Sequence, residues 1–418
     1  MFCLAAPALS WLLALPVLIS GVQAGWNPTG KNNLVVYWGQ NAGGSAKPQD
    51  LKKLCDDPAV SVVAVSFLTD FKPLKLNLAS NEAGCQKMAD GLLKCPQIEK
   101  DITYCQQTKK TTILLSLAGG EYKGDHIGWG SADEAKKTAD KVFDLFGPVG
   151  KVPEAQRPFG KAVMNGFDFD FEFPTNNLLA FAQQLRKRAD AAKLILGAAP
   201  QCPFPDKNLG PVFDGGVKFE MVAIQFYNNP SCGITSFKGQ GGGKETYNFE
   251  QWATWAKTKG QNARLVVGAP ASAQVGGGYV GPDKMKPIIE YSAKFPEFAG
   301  VMVWEATAGL DNGFLKAVGS SLAAVGGGAG GGKKPAPGGN KPKKPAASPA
   351  GTFNPGLAPP GLALPESQKP IGGAAAAPAP VVKSPAPHRR RSSSSARPRS
   401  RSPASPINRR RVAKSFAA

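Results

Sequence analysis

Asn165-Gly166-Phe167-Asp168-Phe169-Asp170-Phe171-Glu172-Phe173-Pro174 alternates acid and phenylalanine without a break. A strict period of two marks a β-strand, whose successive side chains point to opposite faces. One face then carries Asp168, Asp170 and Glu172, and the other Phe167, Phe169, Phe171 and Phe173. Four aromatics require a dry layer, which puts the acids on the far side from it. The competing arrangement is an antiparallel strand with a solvated acidic face. Exposed faces ordinarily mix Lys and Thr with acids rather than stacking three carboxylates. The stretch fits better in the wall of a parallel (β/α)8 barrel of the TIM type, its aromatic face on the helices and its acids inside. The carboxyl end of such a strand lines the active site.

Alternate residues on one strand face lie about 6.6 Å apart, so the three carboxyl groups can meet. Carboxylates that close cannot easily all ionise, and one keeps a proton well above its ordinary range. A general acid acting near neutral pH needs this. Glu172 has the longest reach and stands nearest the strand's carboxyl end, so it is the expected proton donor. Asp170 is its partner and Asp168 the deeper support. A carboxyl pair with one member protonated points to cleavage of a glycosidic bond.

Working outward, eight short apolar runs recur between residues 25 and 324: Leu34–Trp38, Val60–Phe67, Thr112–Leu117, Val163–Glu172, Leu194–Ala199, Met221–Tyr227, Leu265–Ala269 and Val301–Trp304. Amphipathic segments such as Ala135–Phe146, Leu178–Ala192 and Phe249–Lys259 separate several of them. Alternating strands and helices predict parallel pairing, and eight repeats predict a closed barrel. The runs end in aromatics beside amides: Tyr37 and Trp38 before Gln40, Gln225 before Tyr227, and Trp304. Such ends suit sugars, whose faces stack on rings while their hydroxyl and acetamide groups take hydrogen bonds. The stretch Arg264–Tyr279 contains no acid, and alternation turns Glu305 away if Trp304 faces inward. With no opposing nucleophile, the substrate's own acetamide oxygen becomes the expected attacking group, which restricts the substrate to 2-acetamido sugars such as those of chitin.

These residues resemble the family 18 glycoside hydrolases. Asn165–Glu172 is similar to their D-G-x-D-x-D-x-E signature. YWGQN, Ser116–Gly120, APQCPFPD, QFYNN and MVWEA resemble the plant-type (class III, hevamine-like) chitinases of plants and fungi, over roughly residues 30–318. The resemblance implies a retaining endochitinase without metal or cofactor. It gives Glu172 the proton transfers, Asp170 the orientation of the acetamide, and Tyr227 a hydrogen bond to the acetamide oxygen. Gln225 stands beside Tyr227, Trp304 floors the reacting sugar, and Tyr37 and Gln40 match cleft-lining positions. It also implies the disulfides Cys55–Cys105, Cys85–Cys95 and Cys202–Cys232. Two positions depart from the pattern. Asn165 stands for Asp, which removes a charge beneath Asp168 and is expected to let it ionise more readily. Ala118 stands for Gly, and its methyl is expected to crowd the barrel floor.

The 418 residues hold more than a barrel. Residues 1–24 are apolar and end in small residues, as a secretory signal peptide does; no later stretch reads as a transmembrane span. Of seven cysteines, Cys3 leaves with the signal and six remain. An even set in a secreted chain reads as disulfides, with fifteen pairings open to spacing alone. With only His126 and His388 present, zinc ligation is not expected. Residues 325–418 are rich in Gly, Pro, Ser and Arg. They hold 17 of the 50 basic residues and one of the 30 acids, hence +16 of the +20 net charge. That composition predicts a disordered tail. Arg389–Arg401 is similar to Arg-Ser tracts, yet a secreted protein seldom meets RNA, so anionic wall polymers or membrane surfaces are the expected partner beside chitin. A tail without any partner stands equally open. The sequence thus predicts a monomeric, secreted or wall-associated chitinase. A chitin-binding lectin or glycosidase inhibitor on the same barrel is the second reading, and a carrier for a polyanion-binding arm the third.

Overall fold

A computed structural model of the chain describes residues 25–42, 48–120, 128–239 and 247–326. The expected signal, and all of the expected tail beyond Gly326, lie outside the described residues. Eight strands form the barrel: β1 (Asn33–Trp38), β2 (Val60–Phe71), β3 (Thr112–Ala118), β4 (Gly166–Asp170), β5 (Ile195–Ala198), β6 (Met221–Gln225), β7 (Arg264–Pro270) and β8 (Phe298–Trp304). Each pairs in parallel with its neighbours, and β8 pairs with β1 to close the ring. The (β/α)8 expectation is met. Val, Ile and Leu dominate these runs because both faces of each strand are buried.

Two layers of core follow from that burial. Inside the ring, Val35, Val62, Ala64, Leu114, Met221, Ala223, Val266 and Met302 pack into one cluster, with Trp26 against it. Outside, the aromatic face of β4 meets the helices. Phe167 lies 6.5 Å from Phe143 of α1 (Ala132–Phe146), and Phe169 lies 6.0 Å from Phe181 of α2 (Leu178–Ala192). Ser131 starts α1 by accepting from the Glu134 N–H, while Glu134 accepts in return from Gly130 N, a near capping box.

Several boundaries differ from the sequence reading. The central strand is shorter than Val163–Glu172, spanning Gly166–Asp170, so Glu172 and the half-buried Phe173 follow the strand rather than sit in it. Strand β2 runs on through Phe71 and folds back on Leu74–Leu76 as a hairpin that the apolar run alone did not mark. The closing helix Phe314–Gly326 carries through the expected boundary at residue 324. The three disulfides pair as the resemblance implied: Cys55–Cys105, Cys85–Cys95 and Cys202–Cys232. Among the described residues no helix is long and apolar enough to cross a membrane.

Candidate active site

Strand β4 brings Asp168 and Asp170 into the ring from the face opposite its phenylalanines, and Glu172 follows them at the mouth. Asp168 is fully buried, its Oδ2 accepting from the Tyr37 hydroxyl at 2.6 Å and from Ser116 Oγ at 2.7 Å. Among the described residues its Oδ1 has no partner. Register pairs Asp168 with Ser116 on one side and Gly197 on the other. A Cβ at Gly197 would come within 3.1 Å of Asp168 Oδ1, so the glycine makes room for the carboxyl. Asp170, also buried, accepts from Gln225 Nε2 at 2.9 Å. The same Gln225 amide donates to the Ala199 carbonyl and reaches Glu172 Oε1 at 3.5 Å. Gln201 Nε2 donates to the other oxygen of Glu172, Oε2, at 3.1 Å.

The electrostatics follow from this stacking. Burial pushes the Asp170 carboxyl well above the usual carboxylate range, and the nearby charges of Glu172, Asp168 and Asp206 add to it. Burial also raises Asp168, against which the hydrogen bonds from Tyr37 and Ser116 work. Glu172 is raised by burial, opposed by its two amide partners. The site therefore retains protons that free carboxyl groups would lose, as a general acid requires.

The expected cleft residues take more particular places. Tyr37 is buried and serves Asp168 rather than lining an open cleft. Gln40 is half-buried, and its amide donates to the carbonyls of Ser66 and Asn77, bracing β2 and the chain after its hairpin. Gln225 clasps the carboxyl groups instead of standing free beside Tyr227. Tyr227 lies against the acids, whose charges raise its phenol after burial does. Trp304 remains partly open, stacked on Phe67 with centroids 5.9 Å apart and edge-on to Tyr37 at 5.8 Å. Its indole N–H donates to the Val275 carbonyl, which fixes the ring as a platform.

Glu305 is buried and caps the helix Ala306–Asp311, accepting from Thr307 N and Ala308 N, so it is turned away from the site. Asn165 is exposed at the amino-terminal rim and accepts from Ile113 N and Gln106. An aspartate could accept the same bonds, and Asp168 is governed by burial and its own partners, so the expected easier ionisation of Asp168 has no counterpart. Ala118 ends β3 at φ +77°, and it packs with the outer core rather than the ring's interior. Its cost is backbone strain, not a crowded floor.

Ser116, Gln201, Phe67 and Asp206 are site residues to which sequence reasoning gave no role. Ser116 could have been found as the one polar residue within 113–117, which otherwise reads Ile-Leu-Leu-Leu. Asp206 influences Asp170 and Glu172, yet its oxygens are spent on the backbone N–H groups of Gln201, Asn208 and Leu209.

Residues 33–305 match the family described as Glycosyl hydrolases family 18. Endochitinase 33 of Trichoderma harzianum is 42% identical over 306 residues, which span 72% of this chain and 94% of that protein. Among solved structures, the chain is similar to the ICChI chitinase from Ipomoea carnea, with a TM-score of 0.55 and 26% identity over 69% of this chain and 99% of that one. It is also similar to the xylanase and α-amylase inhibitor protein XAIP-II from Scadoxus multiflorus, with a TM-score of 0.56 and 26% identity over 69% and 98%.

Proposed function

The chain belongs to family 18 of the glycosyl hydrolases, and from that premise we propose that it is a secreted endochitinase. It cleaves β-1,4-linked N-acetylglucosamine polymers with retention, using the substrate's acetamide as nucleophile. The observation that carries the reading is Glu172: the outermost of three stacked carboxyl groups, kept toward its protonated form by burial and gripped on both oxygens by amides. Glu172 gives its proton to the glycosidic oxygen as the bond to C1 breaks. The acetamide carbonyl oxygen of the sugar on Trp304 attacks C1 from the opposite face, forming an oxazolinium ion. Asp170 accepts the acetamide N–H and steadies the positive charge, and Tyr227 holds the acetamide oxygen. The unpartnered Oδ1 of Asp168 is the natural acceptor for a proton carried on Asp170. Water then attacks C1 from the departed side, Glu172 takes its proton, and the acid form is restored.

Glu172→Gln keeps the shape and removes the proton. Hydrolysis of a soluble chitin oligosaccharide should fall at least ~100-fold while binding persists; undiminished turnover would sink the assignment. A lectin or inhibitor is the second reading, favoured by the resemblance to XAIP-II, named as an inhibitor. It predicts binding without turnover by the unaltered protein. In the same proposal residues 1–24 direct secretion and the basic segment beyond the barrel tethers the enzyme to anionic wall polymers. Removing residues 327–418 should then lower retention on a polyanion matrix and leave turnover unchanged; equal retention would exclude the tether.

A further inference from the structure

Glu172 is held from two sides by amides that arrive on adjacent strands. Gln201 follows β5 and forms a parallel bridge with Gln225 at the end of β6, so the two side chains lie next to each other. Backbone bonds lock that register: Gln225 N donates to the Pro200 carbonyl at 2.8 Å, and Cys202 N donates to the Gln225 carbonyl at 3.2 Å. The disulfide Cys202–Cys232 ties the loop after β5 to the loop after β6 immediately beyond this point. A third wall is the backbone at Gly120, where a Cβ would stand 3.3 Å from Glu172 Oε1.

The orientation of the Gln201 amide is set by its neighbours. Asn229 Nδ2 donates to Gln201 Oε1 at 3.5 Å and to the Tyr227 carbonyl at 3.1 Å. With Oε1 so occupied, Nε2 is the end that faces Glu172 Oε2. Asp206 fixes the other half of the residue, its Oδ2 accepting from Gln201 N at 3.0 Å. A donor in that place favours a carboxylate over a carboxylic acid. Glu172 must be a carboxylate in the second half of turnover, when it takes a proton from water.

We propose that Gln201 is a positioning residue for the reaction, its amide set by Asn229 and aimed at Glu172 Oε2 so that the carboxyl is aligned and released to its ionised form for the water-activating step. The inference rests on the assignment of Glu172 as acid and base. Asn229 belongs to the same device, and the disulfide keeps the two loops at the spacing the amide needs.

The test is the pH dependence of kcat and kcat/KM on a soluble chitin tetrasaccharide, for the unaltered chain, Gln201→Met and Asn229→Leu. Methionine keeps length and volume but donates nothing. Losing one donor to a charged acceptor should raise Glu172 by about one pH unit, which moves upward both the basic limb of kcat/KM, where Glu172 is the acid, and the acidic limb of kcat, where it is the base. On that acidic limb kcat should drop about tenfold while KM stays within about twofold. Asn229→Leu frees the amide to turn and should move the limbs the same way by less; it carries the test alone if Gln201→Met does not fold. Limbs that stay in place in the folded variants overturn the proposal, even where rates fall. Glu172→Gln separates the two claims. If it still turns over, the acid assignment fails; if it is dead while the Gln201→Met profile is unmoved, only this inference fails.

Discussion

Replacing Asp170 by Asn should stabilise the protein, and by an amount that depends on pH. Asp170 is 4% exposed and sits between two further carboxyl groups, and among the described residues one side chain donates to it, Gln225 at 2.9 Å. Its folded pKa is raised well above the unfolded value by burial and by those neighbours. Below the unfolded pKa both states hold the proton and Asp170 exerts no penalty. As pH rises past it the unfolded chain releases the proton while the folded one keeps it, so stability falls until the folded pKa is passed. The slope over that window is about 1.4 kcal/mol per pH unit. Asparagine has no proton to lose, can turn its carbonyl to Gln225, and has an N–H to offer the unpartnered Asp168 Oδ1. Asp170→Asn should therefore match the parent in acid and gain on it above about pH 4. For a barrel of this size the gain is about 3 °C of melting temperature per pH unit, levelling off once the parent ionises. Thermal unfolding followed by circular dichroism from pH 3 to 9 measures both curves. Parallel curves, or a variant that loses ground as pH rises, would refute the electrostatic account of the site. Activity should be lost in the same variant, because the strain is functional.

Other perturbations test the supporting structure. Tyr37→Phe removes the hydroxyl from Asp168 and should cost ~1.5–3 kcal/mol, read as a lower denaturation midpoint near neutral pH; an unchanged midpoint would mean the bond carries no stability. Ala118→Gly relieves a left-handed backbone at φ +77° and should add up to about 1 kcal/mol, the strain removed exceeding the entropy glycine brings; a loss of stability would show the methyl's packing to outweigh it. Loop-closure entropy ranks the disulfides by separation, 50 residues for Cys55–Cys105 against 10 for Cys85–Cys95. Paired Ser substitutions should then cost about 4 and about 3 kcal/mol respectively, and chemical denaturation showing the reverse order would contradict that ranking.

The alternation of Asp168 and Asp170 with phenylalanines was legible because a strand's period is fixed by backbone geometry and both faces here are buried. The parallel ring followed from eight apolar runs separated by amphipathic segments, since strands that alternate with helices pair in parallel. Glu172 was legible as the acid through its place in the pattern, although the strand stops at Asp170 and a loop holds it. What the sequence hid was the assignment of partners across the ring. Tyr37, Ser116 and Gln225 lie between 52 and 131 residues from the carboxyl groups they serve, and only the closed register brings them together. Gln225 and Tyr37 looked like sugar ligands because an amide and a phenol at strand ends serve either purpose. Ala118 shows the opposite limit. Its residue type was noticed, but its cost lies in a backbone dihedral that composition does not carry.

The central claim is that the substrate's acetamide attacks C1 while Glu172 protonates the leaving oxygen. The anomeric form of the newly made reducing end, followed by proton NMR in the first minutes of hydrolysis of a chitin tetrasaccharide, tests it most directly. Two inversions at C1 deliver the β-anomer first, with the α-form appearing later by mutarotation. An α-anomer formed first would mean a single displacement by water, and the acetamide would have no part in the reaction.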